Sequence, residues 1–81
     1  MAWEYAHIGF EDDRFCLEGT EVWQAEWKRL DGQRVDLPHP SYNHQIHPFD
    51  LYEIQTEKGL VRFALSELSN GVYGFYRWRP E

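Results

Sequence analysis

Three things are scarce in this sequence, and each scarcity excludes something. Cys16 is the only cysteine. No internal disulfide can staple the fold, and a reducing, cytoplasmic setting is expected. Basic residues are few: 8 Lys and Arg stand against 14 Asp and Glu, for a formal net charge of -6. Nucleic-acid binding rests on cations that displace counterions from phosphate, and anionic membranes select the same charge. Neither partner is expected. Long apolar runs are missing too, since no stretch nears the roughly 20 residues that span a bilayer. The opening MAWEYAHIGFEDD has neither the basic nor the apolar region of a signal peptide. No G-x-S-x-G elbow, phosphate-binding loop or dinucleotide fingerprint occurs. No repeat, low-complexity tract or linker divides the chain, so residues 1–81 are expected to form a single domain.

What the chain has is aromatics: four Trp, five Tyr and five Phe, 17% of the residues. Each buries about 150–250 Å² when packed, so a few of them build a core in a short chain. Mean hydropathy is low at -0.71, but that scale penalises Trp and Tyr, which pack well. Fourteen aromatics (4 + 5 + 5) are hard to bury completely in a small two-layer domain. An exposed aromatic patch is therefore expected, with Trp23, Trp27, Tyr73, Tyr76 and Trp78 as its candidate members.

The strongest local pattern lies in the C-terminal half. FDLYEIQT (Phe49–Thr56) and LVRFAL (Leu60–Leu65) alternate as strands around Glu57-Lys58-Gly59, a hairpin loop with glycine where φ > 0 is needed. Val61, Phe63 and Leu65 should share one face. SELSNG (Ser66–Gly71) then reverses the chain, either as a single helical turn capped by Ser66 or as an Asn70-Gly71 hairpin turn. VYGFYRW (Val72–Trp78) is a third strand, in which Gly74 marks a bulge or a close backbone contact.

The N-terminal half is less regular. Ala2–Phe10 reads as a strand, and Glu11-Asp12-Asp13 as a solvated turn rather than a calcium loop, since it lacks EF-hand spacing. Arg14–Leu17 reads as a short strand with Cys16 buried and inert. Thr20–Leu30 fits a strand, with Trp23, Ala25 and Trp27 on one face, or a helix capped by Thr20. Asp31-Gly32, followed by Val35 and Leu37, favours strand and hairpin. The fold expected is mainly β, either a small twisted antiparallel sheet or an SH3-like barrel with a short helical turn. An α+β fold with one helix at residues 20–30 is the alternative.

Three of the four histidines fall in LPHPSYNHQIHPFD (residues 37–50), where prolines enforce extended geometry. The segment therefore reads as a stiff loop, and loops on a rigid scaffold often carry sites. His39, His44 and His47 are candidate metal ligands, with Asp50, Glu53 or Cys16 as further donors. Histidines that simply brace the loop through backbone carbonyls are the competing explanation. His44 or His47 with Asp50 or Glu53 could also form an acid–base pair, with Tyr42 as a proton donor. If the reversal at Ser66–Gly71 lies at the same end of the sheet, Glu67 and Asn70 join this candidate ligand site.

The strings LPHPSY, HQIHPFDLYEI and VRFALSELSNGVYGFY together resemble a group of small bacterial proteins of no known function. The resemblance covers roughly residues 36–76. It implies no activity, but it does imply that the histidine loop and the SNGVYGFY strand belong to one unit. The function expected is a small binding or interaction module, a homodimer through a sheet edge or aromatic face, with no cofactor. A small metal-dependent or acid–base enzyme and an acidic regulator of a basic protein are the alternatives.

Overall fold

A computed structural model describes residues 2–39, 43, 45–67 and 71–79. It contains seven strands: β1 (Ala2–Gly9), β2 (Cys16–Leu17), β3 (Thr20–Glu21), β4 (Trp27–His39), β5 (Gln45–Thr56), β6 (Gly59–Glu67) and β7 (Tyr73–Arg79). One 3₁₀ turn, Val22–Gln24, follows β3. The five long strands form an antiparallel sheet in the order β1-β7-β6-β5-β4, and β2 and β3 form a separate two-stranded ribbon. The sheet does not close, so of the two expected architectures the twisted open sheet is the one adopted.

The meander β5-β6-β7 forms as its alternation predicts. Thr56 pairs with Gly59, which leaves Glu57 and Lys58 as a two-residue loop. Gly59 has φ 110, and the buried Thr56 hydroxyl braces the turn by donating to Gly59 O at 2.6 Å and accepting from Lys58 N at 3.1 Å. Val61, Phe63 and Leu65 are buried together, as expected. Ser66 and Glu67 extend β6 and pair with Gly74 and Tyr73, so Ser66 is a strand residue; residues 68–70 of the expected reversal lie outside the described residues. The cross-strand pairing won because Ser66 follows the strand's phase without a break.

Two expectations in the N-terminal half need correction. Thr20–Leu30 is neither one strand nor a helix. It is strand, 3₁₀ turn and strand again, bent so that Trp23, Ala25 and Trp27 all pack on one core. Asp31-Gly32 makes no hairpin. Both flanks of it pair with β5, through Arg29–Tyr52 on one side and Arg34–Asp50 on the other. Five steps along β4 thus match two along β5, and three extra residues loop out as a wide bulge. Gly32, at φ 73, supplies the bulge's left-handed residue.

The sheet buries both faces, by different means. On one face, Ile54, Val61, Phe63, Leu65 and Phe75 are covered by the segment from Phe10 to Glu26, which contributes Leu17 and Val22 to the core with Phe15, Trp23 and Trp27 around it. Three bonds pin this lid: Val22 N to Phe15 O at 3.0 Å, Ala25 N to Val22 O at 3.2 Å, and Trp27 Nε1 to Val22 O at 2.8 Å. The acidic run Glu11-Asp12-Asp13, at the start of the lid, is the solvated turn expected. Asp13 N donates to Phe10 O at 3.1 Å, and the Asp13 carboxylate accepts from Phe10 N at 2.7 Å.

The other face holds Phe49, Leu51, Ala64 and Tyr76, with Trp3, Leu30, Val35 and Leu37 around them. Among the described residues, that core is drawn from the sheet's own strands. Tyr76 in β7 donates its hydroxyl to Pro38 O in β4 at 2.5 Å, although β6 and β5 lie between them in the sheet. In a flat sheet those strands would stand three spacings of about 4.8 Å apart. The sheet therefore curls, and the C-terminal end of β4 closes over this face.

Candidate functional site

The histidine segment is mostly strand. β4 runs to His39 and β5 begins at Gln45, so the loop expected over residues 37–50 shrinks to the short connection between them. Pro38 lies on the sheet's outer strand. Pro48 lies where β5 has already left β6, whose pairing ends at Asp50–Leu65. Both positions spare the prolines a missing ladder bond.

This phase decides which candidates meet. His39 and His47 do: their ring centroids are 5.7 Å apart with planes at 59°. His39 is wholly buried, beside Phe49 at 5.6 Å. Its Nε2 lies 3.0 Å from where a Cβ on Gly74 would stand. Gly74 is therefore the close backbone contact expected. Burial, and then the charge on His47, push the pKa of His39 down, offset in part by a hydrogen bond with the Ser66 backbone.

Asp50 does not join them. It lies three positions beyond His47 along one strand, an odd offset that puts the two on opposite faces. Asp50 instead takes Arg34 Nε at 3.0 Å and Arg29 Nη2 at 3.4 Å. Glu53 shares the histidines' face but lies six residues, about 20 Å, further along β5, and pairs with Arg62. Glu67 pairs with Tyr73 on the lidded face, where burial first and then the hydrogen bond and charge of Glu67 raise the tyrosine's pKa. Tyr42, His44 and Asn70 lie outside the described residues. Among the described residues no group of three or more His, Cys, Asp or Glu side chains is placed to hold a metal ion. Cys16, expected to be buried, is exposed. Its neighbour Leu17 takes the inward position, and a two-residue strand can point only one of its side chains inward.

The expected aromatic patch is also redistributed. Tyr76 is buried, while Trp23, Trp27, Tyr73 and Trp78 are half-buried. Among the described residues the exposed aromatics are Tyr5 (49%) and Phe10 (59%), on and just after β1.

A second polar constellation was not visible in the sequence. β7 pairs with β6 only as far as Arg77–Phe63, whereas Trp78 and Arg79 stay with β1 opposite Trp3 and Ala2. The two strands fork there. A cleft of about 460 Å³ opens between them, lined by Glu18, Glu53, Lys58, Leu60, Val61, Arg62, Arg77 and Trp78. Glu18 enters from the turn between β2 and β3, with φ 47, and accepts from Arg77 Nη2 at 2.5 Å. Lys58 Nζ stands 3.7 Å from the other Glu18 oxygen. The Arg77 hydrogen bond and charge lower the Glu18 pKa. Only the forking of β7, a tertiary feature, brings these residues together.

No family model, no curated protein and no solved structure matches the chain.

Proposed function

We propose that the chain is a small interaction module that works as a homodimer joined through the outer edge of β1. The observation behind this reading is the contrast between the sheet's two outer strands. β4 carries Lys28, Arg29, Arg34 and Pro38 and is broken by the Leu30–Gln33 bulge. Such features oppose edge-to-edge pairing. β1 has no proline and no lysine, and Glu4 is its one acidic residue. Its single irregularity lies between Tyr5 and His7, which leaves Ala2–Tyr5 regular.

A two-fold axis between Trp3 and Glu4 sets Ala2 opposite Tyr5 of the second copy and Trp3 opposite Glu4. No like charges meet, and Tyr5, half exposed in the monomer, is covered. Two-fold symmetric dimers are the commonest oligomers because such a patch complements itself.

Sedimentation velocity across roughly 1–300 μM tests the reading, with a dissociation constant of about micromolar expected. Tyr5→Lys should leave thermal unfolding of the monomer intact and abolish the dimer. A wild-type chain that stays monomeric over this range, or a Tyr5→Lys dimer as tight as wild type, rules the reading out.

A further inference from the structure

The fork between β6 and β7 offers a site of a different kind, independent of the β1 edge. We propose that it binds a small organic anion, a carboxylate or phosphate group carried on a flat apolar body. Basic residues are scarce in this chain, yet Lys58, Arg62 and Arg77, three of the 8, line this one cleft with two carboxylates, Glu18 and Glu53. The cleft is locally positive on a protein whose net charge is -6.

The pairing inside the cleft leaves donors over. Arg77 gives Nη2 to Glu18, but its Nε is buried and has no hydrogen-bond partner in the structure. That Nε is closed off from the solvent in the cleft, so the donors an anion can meet there are those of Lys58 and Arg62. Lys58 approaches Glu18 only at 3.7 Å, and Arg62 meets Glu53 through one Nη2 at 3.5 Å. Both retain N–H groups to donate.

The walls define the rest of the ligand. The half-buried indole of Trp78 and the 66% exposed side chain of Leu60 flank the charged groups. An exposed leucine beside a tryptophan gives a flat apolar body a surface to lie on. A bare inorganic anion would leave that surface wet. The shape therefore favours an aromatic or similarly planar anion over phosphate alone.

Titration of the full chain with phenyl phosphate, benzoate and inorganic phosphate at low salt, followed by ¹H–¹⁵N NMR, tests the proposal. Saturable shifts should centre on Lys58, Val61, Arg62, Arg77 and Trp78. Phenyl phosphate should bind at least about threefold more tightly than inorganic phosphate, since apolar area adds affinity. The benzoate arm separates carboxylate from phosphate ligands. Lys58→Ala and Arg62→Ala should each weaken binding about fivefold or more, as expected for a charge-assisted contact. The Lys58 side chain is 75% exposed and that of Arg62 43%, so Lys58→Ala should unfold at the wild-type temperature and Arg62→Ala close to it. Shifts scattered away from the cleft, no saturation by about 20 mM, or wild-type affinity in both variants overturns the proposal. Equal affinity for phenyl phosphate and phosphate overturns its apolar half.

Discussion

The two faces of the sheet solve one problem in two ways. The lidded face is buried by a separate stretch of chain, which brings its own aromatics and is held by two short-range backbone bonds and one from the Trp27 indole. The curled face is buried by the sheet bending on itself, with Tyr76 tied to Pro38 and His39 pressed on Gly74. A lid tolerates local adjustment because its strands, β2 and β3, pair with each other and not with the sheet they cover. A curl does not, since the strands that close it are also those that pair. The adjacent residues Phe75 and Gly74 sit on opposite sides of this divide and allow direct tests.

Phe75 is the hub of the lidded face, with its ring against Phe15 at 4.7 Å, Trp23 at 5.8 Å and Phe63 at 5.8 Å. Phe75→Ala should cost about 3–5 kcal/mol, enough to bring so small a domain near unfolding at room temperature. Urea denaturation measures it. A cost below about 1.5 kcal/mol would mean that the lid collapses into the gap and that this face is looser than described.

Gly74→Ala should come next, at about 1–3 kcal/mol, because its Cβ would meet the fully buried His39 ring at 3.0 Å. The specific check is a double-mutant cycle with His39→Ala, in which removal of the ring should recover most of the Gly74→Ala cost. Strictly additive losses would show that the contact is not what closes the curl. Tyr76→Phe should cost about 1 kcal/mol, by removing the hydroxyl that reaches Pro38 O while keeping the ring.

The smallest effect concerns pH. Burial lowers the His39 pKa in the folded chain, so near neutrality the ring is uncharged both folded and unfolded. As pH falls through the unfolded value of about 6.5, the unfolded chain takes up a proton that the folded chain refuses, and stability drops. The loss levels off below the folded pKa. His39→Phe should flatten this part of the stability–pH curve if the curled face accepts the larger ring. An unchanged slope would assign it to another group.

Much of this was legible from residue types. The β5-β6 hairpin follows from alternation and one glycine, and Gly74 announced its close contact. The histidine segment was harder, because prolines suggested a loop where the chain keeps to strand. Once it is strand, alternation separates His47 from Asp50, whatever their closeness in sequence. The charged cleft was not legible at all. Glu18, Lys58 and Arg77 are scattered along the chain, and what joins them is the point at which β7 abandons β6 for β1, a choice that depends on tertiary packing.

The wide bulge in β4 has one further consequence. Its three extra residues are an odd number, so it inverts the strand's phase. Trp27 and Arg29 share a face with Ile54 and Tyr52, whereas beyond the bulge Val35 and Leu37 lie with Phe49 and His47 on the other. Length at this point is therefore a parity. Deleting Asp31 and Gly32 together leaves an ordinary one-residue bulge and keeps every later side chain facing as before. Deleting Gly32 alone turns Val35, Leu37 and His39 away from the core they complete. Related chains should accordingly vary in length here by two residues and not by one.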